Sequence, residues 1–139
     1  MEDMNRRSAL ALGLSAGTVP LFAFTTPAAA EMYAADAGKE ILPGIRQIDI
    51  SKGPINFGGY KSAVVTDYVM APGSSFPNEA MKNDMVCEML EGEAWVKQGD
   101  LEYTAKAPFV FACGKDTFEE AKNQSDAAAV MRVVDLLPT

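Results

Sequence analysis

Short strand-forming segments, separated by glycine or proline turns, recur about every ten residues through most of this chain. The segments are IRQIDI (45–50), AVVTDYVM (63–70), MVCEML (85–90), AWVKQ (94–98), LEYTAK (101–106), FVFAC (109–113), TFEEAK (117–122) and AAVMRVVDLL (128–137). No long amphipathic helix pattern interrupts them, and 51–62 is a turn-rich stretch. This rhythm predicts an all-β sandwich or barrel.

The first thirty residues have the features of an export signal. Arg6 and Arg7 precede a moderately apolar run, and 28–30 is a stretch of alanines that suits a signal peptidase. The pattern is similar to a twin-arginine signal. Either Met1 or Met4 is the start of the chain. We expect cleavage after Ala30, no stable membrane insertion afterwards, and a periplasmic or otherwise exported bacterial protein.

The rest of the chain has room for one domain. A chain of 139 residues allows little more. We predict that residues 31–44 are a loose lead-in and that residues 45–139 form a β-barrel domain. The net charge is −7, without a cluster of lysine or arginine. This acidity argues against nucleic acid as a partner, because the phosphate backbone would be repelled.

The segment EMLEGEAWVKQGDLEYTAK (88–106) is typical of a meander with tight turns around Gly92 and Gly99. We expect its three strands to pair in sequence order. Trp95 and Tyr103 are expected to contact the core, while Lys97 faces solvent.

Residues 71–96, APGSSFPNEAMKNDMVCEMLEGEAWV, resemble the first sequence motif of the cupin family. Gly73 and Gly92 stand at its two glycine positions, and GDLEYTAKAPFVFACGKDTFEEAKN (99–123) resembles the second motif more weakly. The resemblance implies a cupin-like jelly-roll barrel, a double-stranded β-helix. It also implies that the family's two histidines fall on Glu79 and Met81, and its glutamate on Met85.

The chain contains no histidine. Histidine is the commonest general acid or base near neutral pH, and it supplies the imidazole ligands of the usual cupin metal site. A dioxygenase-type iron site is therefore not expected.

Alternation along 79–90 places one set of side chains inside the barrel. The even-numbered set carries three charges, so the odd-numbered set is predicted to face inward: Glu79, Met81, Asn83, Met85, Cys87 and Met89. Val86 and Leu90 then face outward, where they would suit the interface of a homodimer.

Three interpretations of this sulfur-rich stretch remain open. The first is a degenerate, metal-free cupin, a structural or small-molecule-binding homodimer whose Met and Cys fill the core. The second is a site for a soft ion such as Cu(I), with ligands drawn from Glu79, Met81, Met85, Cys87, Met89 and Cys113. The third is a small-molecule enzyme in which Glu79 acts as acid or base.

Other polar residues near the second motif carry less weight. Lys115, Thr117 and Glu119 are plausible at the rim of the barrel but are expected to lie on the surface. A disulfide between Cys87 and Cys113 is permitted by an oxidising compartment, and the sequence leaves it open.

Overall fold

The computed structural model of the chain describes residues 30–138, so the predicted signal at 1–30 lies outside it except for Ala30. The strands are β1 Lys39–Leu42, β2 Ile45–Phe57, β3 Tyr60–Met70, β4 Ser75–Ala80, β5 Asp84–Glu91, β6 Glu93–Gln98, β7 Leu101–Lys106, β8 Phe109–Cys113, β9 Phe118–Lys122 and β10 Ala129–Leu137. Within this part of the chain, no helix is long and apolar enough to cross a membrane. The all-β prediction is confirmed.

Two antiparallel sheets face each other. One sheet has six strands in the order β1-β2-β3-β10-β5-β8, and the other has four in the order β4-β9-β6-β7. The fully buried side chains between them include Met70, Met89 and Val96. Both sheets therefore contribute their inner faces to one apolar core.

The predicted meander is wrong at its first turn. β5 pairs with β10 and β8, whereas β6 pairs with β7 and β9 in the other sheet. Gly92, with φ +69°, carries the chain from one sheet to the other. A tight glycine turn has the same sequence signature whether it closes a hairpin or changes sheets, so the pattern alone did not separate them.

The prediction that Trp95 contacts the core is also wrong, because Trp95 and Lys97 are two residues apart and share one face of β6. The Trp95 side chain lies on the outer face of β6 beneath Lys122, whose Nζ is 5.1 Å from the ring centroid. Val96, the next residue, is the one that is fully buried. Lys97 faces solvent as predicted, and its Nζ lies 3.5 Å from Oε1 of Glu102.

β2 and β3 extend beyond their predicted limits. The stretch 51–62, predicted as turns, forms the closing end of a long hairpin whose turn is at Gly58 and Gly59, both with positive φ. Register shifts at Asp49/Ser51 and Pro54/Phe57 allow the glycine- and proline-containing segment to stay paired. Pro54 is tolerated because β1 pairs only with the beginning of β2, which leaves the rest of β2 at the edge of the sheet.

Residues 31–44 are not wholly loose. They include β1, which pairs with β2, and the Arg46 guanidinium donates to backbone carbonyls of residues 36–38. β4 is a further strand that is absent from the segments predicted from the sequence, and it pairs with β9.

The outer face of the six-stranded sheet is only partly open. Val86 is 40% exposed, as expected. Leu90 is half-buried in a group that we call the outer cluster: Ala30, Val69, Ala128 and Val130, with Tyr33, Ile48 and Leu90 packed against them. Of the two residues predicted for a dimer interface, Val86 alone is exposed.

We expect Gly92→Ala to lower the free energy of unfolding by about 2 kcal/mol or more, because it adds a steric clash to the strain of a positive φ. A Cβ at Gly92 would lie 2.7 Å from the carbonyl oxygen of Ala128. Gly73→Ala is the matched control, since φ is +79° and nothing lies within 4 Å of its added Cβ. Urea denaturation measures both losses, and equal losses would contradict a steric role for the Gly92 crossing.

Candidate functional site

The inward face predicted for β5 is confirmed. Cys87 and Met89 are 1% and 0% exposed, and Met85 is partly buried against the same core. Val86, between them, points outward. Period-two alternation from Met85 onward therefore gives the correct face.

A cavity of about 300 Å³ lies between the two sheets beside the β4–β5 loop. It is lined by Tyr68, Phe76, Pro77, Glu79, Ala80, Met81, Lys82, Asn83, Met85, Glu119, Ala121, Met131, Val133 and Asp135. Most of the wall is apolar, with a small number of polar groups. This composition is typical of a site for a small organic molecule.

The six residues predicted as soft-metal ligands separate into two groups. Glu79, Met81 and Met85 line the cavity. Cys87, Met89 and Cys113 are buried in the apolar core and are not among its lining residues. Three of the predicted ligands therefore line the cavity and three lie in the core, with Met85 and Cys113 opposite each other where β5 pairs with β8.

The two cysteines are free thiols on neighbouring strands. Cys113 stands opposite Met85 and Cys87 opposite Phe111, so the cysteines are diagonal neighbours. Diagonal Cα atoms in an antiparallel pair are about 7–8 Å apart, which is longer than the usual span of a disulfide. The register therefore disfavours a disulfide in this conformation.

Both thiols are held in the protonated form. Burial, with the nearby Glu119 carboxylate, raises the pKa of Cys87 far above its ordinary value, and the same two causes raise the pKa of Cys113 to about 12. The thiolate is the form that attacks electrophiles and binds metals. Cys87 and Cys113 therefore act here as apolar core residues.

Glu119 was expected on the surface, but it is only 7% exposed. Gln98 donates a hydrogen bond from Nε2 to Oε2 of Glu119, at 2.6 Å. The alternation of β9 places Glu119 and Ala121 inward, where both line the cavity. A buried carboxylate of this kind needs such a donor to offset the loss of water.

Asp135 is a second carboxyl group on the cavity wall, opposite Met85 in the sheet register. Burial raises its pKa above the ordinary value of an aspartate, and a hydrogen bond from Asn83 partly lowers it again. Burial also raises the pKa of the neighbouring Tyr68 hydroxyl, whose ring packs edge-on against Phe76.

Glu79 is in a different environment from these two groups. It lines the cavity and stands opposite Glu119 in the pairing of β4 with β9, but it is exposed. The burial that an acid or base role for Glu79 requires is instead found at Glu119 and Asp135.

The imidazole metal site that the resemblance to cupins implies does not fit the residues present. The chain has no histidine, and residues 30–138 contain no group of three or more Cys, Asp or Glu placed to hold a metal ion. The soft donors at the cavity are the thioethers of Met81, Met85 and Met131.

The two facing antiparallel sheets and the cavity between them define a cupin-type jelly-roll barrel. KdgF of Halomonas sp. has a TM-score of 0.59 at 12% identity, covering 70% of this chain and 83% of that chain. An RmlC-like cupin of Shewanella frigidimarina has a TM-score of 0.58 at 12% identity, covering 81% and 95%. For the cupin domain of Schizosaccharomyces pombe Cnp3 the values are 0.56 and 15%, covering 67% and 64%. No family model and no curated protein matches the sequence. These likenesses establish the fold.

Sequence reasoning missed Asp135 and Tyr68 and expected Glu119 on the surface. Asp135 continues the inward series of Met131 and Val133 on β10, and an alternation count along that strand would have found it. Tyr68 lies opposite Met131 in the same sheet, so its place depends on a pairing between distant segments. Glu119 required the inward face of β9 to be known.

We expect Asp135→Asn to stabilise the protein at pH 7. A carboxyl whose pKa is raised by folding contributes stability at low pH, and this contribution is lost as pH rises through the raised pKa. The amide keeps an acceptor for Asn83 and removes the buried charge. The gain in the free energy of unfolding at pH 7 should be about 1 kcal/mol or less, since solvent screens a half-exposed group. The gain should vanish near pH 3, where the carboxyl is protonated in both the folded and the unfolded chain.

Thermal unfolding at the two pH values measures this effect. Asp126→Asn, an exposed aspartate, is the matched control and should change little. A loss of stability at pH 7 in Asp135→Asn would contradict the assigned environment of Asp135.

Proposed function

We propose that this protein is a cupin-type binding protein whose barrel cavity takes a small organic molecule with an apolar body and a positively charged head. The composition of the cavity wall carries this proposal: it is mostly apolar and includes carboxyl groups from β4, β9 and β10. Apolar walls supply affinity in such pockets, and a few placed polar groups set orientation and specificity.

Charge favours a cation at this site. Glu79, Glu119 and Asp135 line the cavity, and Lys82 is the basic residue among them. Three carboxyl groups against one ammonium group give a negative local potential, which attracts cations and repels anions. The acidic surface of the whole protein acts in the same direction.

The cupin-like fold supports small-molecule or metal binding in general, without naming a ligand. Among residues 30–138, the side chains that line the cavity do not include a nucleophile paired with a base. Asp135 and Tyr68 are the groups that could donate a proton to a bound molecule, because their raised pKa values keep them protonated to a higher pH than usual.

We expect benzylamine to bind more tightly than benzyl alcohol, and benzoate to bind least. These three probes share one apolar ring and differ in head-group charge, so isothermal titration calorimetry isolates the electrostatic term. Asp135→Asn and Glu119→Gln should each weaken benzylamine binding about tenfold, the value of one charge-assisted hydrogen bond. Binding should also weaken as pH falls through the raised pKa of Asp135.

Glu102→Gln is the matched control, because Glu102 lies on the outer face of β7 beside Lys97. It should leave benzylamine binding unchanged. Equal affinity for benzoate and benzylamine, or equal losses in the control and the cavity variants, would contradict the proposed ligand class.

A second candidate function is the binding of Cu(I), and the observation that favours it is the presence of three thioethers at one cavity. Met81, Met85 and Met131 line the same cavity as Glu79 and Glu119. Thioether sulfur is a soft ligand that suits Cu(I) and does not suit Mg²⁺, Mn²⁺ or Ca²⁺. Unlike the buried thiols, thioethers do not have to lose a proton before they bind a metal.

If this candidate is right, the protein should take about one equivalent of Cu(I) from a chromophoric chelator and should bind Mn²⁺ weakly. Met85→Leu should reduce Cu(I) binding, whereas Met32→Leu should not, because Met32 is 49% exposed and distant in the fold. Leucine conserves volume, so a loss of binding without a loss of stability would exclude a packing effect. Cu(I) binding that is absent, or equal in both variants, contradicts this candidate.

A further inference from the structure

The beginning of the described chain is held by a single carboxylate. The backbone nitrogen of Glu31 lies 2.6 Å from Oε1 of Glu91, and the backbone nitrogen of Met32 lies 3.2 Å from Oε2. Two successive N–H groups thus donate to the two oxygens of one side chain. Glu91 is half-buried at the end of β5, next to the Gly92 crossing.

The residues that follow also anchor this segment. The hydroxyl of Tyr33 donates to Asp67, which is fully buried. Arg132 holds the same carboxylate with two hydrogen bonds, of 2.8 Å from Nε and 2.9 Å from Nη2. Tyr33 also packs against the outer cluster. These contacts anchor the chain two residues after Glu31, on the side away from Ala30.

We propose that Glu91 is a binding site for the α-ammonium group of Glu31 that forms when the chain is cut after Ala30. In that reaction water adds across the Ala30–Glu31 peptide bond, so Ala30 leaves with a carboxylate and the nitrogen of Glu31 becomes an ammonium group. The nitrogen already lies at hydrogen-bond distance from Oε1 of Glu91. The neutral amide contact becomes a charge-assisted one, which is the stronger kind.

The cut also exchanges one kind of contact for another. Ala30 is 6% exposed and packs in the outer cluster against Val69 and Val130. Its departure removes a small apolar contact, while the new ion pair forms at the neighbouring position. The ion pair with Glu91 therefore keeps the new terminus bound to the sheet. This proposal rests on the cut predicted from sequence and does not depend on the ligand of the cavity.

The test compares three forms of the domain: one that begins at Glu31 with a free amine, one that begins at Glu31 and is Nα-acetylated, and one that retains 28–30. Each is made with Glu91 and with Glu91→Gln. Glu91→Gln should lower Tm by about 2 °C or more in the free-amine form, and by less in the other two. Raising the salt concentration to about 1 M should reduce this difference, because salt screens an exposed ion pair.

Glu93→Gln, on the other side of Gly92, is the matched control and should lower Tm equally in all three forms. Equal effects of Glu91→Gln in the three forms would overturn the proposal. The intact mass of the exported protein tests the cut separately, and a mature chain that begins elsewhere than Glu31 would also overturn it. Neither result depends on benzylamine or Cu(I) binding. The proposal for Glu91 can therefore be wrong while the proposed ligand of the cavity is right, and the reverse.

Discussion

The rest of the structure depends on the crossing at Gly92, where the chain leaves one sheet and enters the other. A positive φ and the carbonyl of Ala128, which would lie 2.7 Å from any added Cβ, leave room there for glycine alone. Because of this crossing, β5 and β6 lie on opposite walls instead of forming a hairpin. The separation of these walls creates the interior in which the cavity lies.

The chemistry of that interior follows from which strands face it. β5 contributes sulfur, from Met85 to Met89, while β9 and β10 contribute the carboxyl groups of Glu119 and Asp135. Buried carboxyl groups are unfavourable without donors, and Gln98 supplies one to Glu119. Apolar side chains would fill the same volume without that desolvation cost, and this is the physical ground on which we propose ligand recognition.

Sequence reasoning predicted the all-β class and the inward face of β5, because both depend on local alternation. It failed where two segments distant in sequence decide the outcome. The turn at Gly92 resembles a hairpin turn until β10 is known to occupy the place beside β5. Glu119 looked like a surface residue for the same reason, since only its pairing with β4 and β6 places it inside. The cysteines drew attention by their chemistry, yet burial makes them part of the core.

The most direct test of the cavity proposal is an NMR titration of the protein, labelled at the methionine methyl groups, with benzylamine. Met81, Met85 and Met131 line the cavity, whereas Met32 is exposed and Met70 is buried away from it. We predict that the first three methyl signals shift together along one binding curve, while those of Met32 and Met70 stay in place. Unchanged signals for the three cavity methionines, or an equal shift at Met32, would contradict the account.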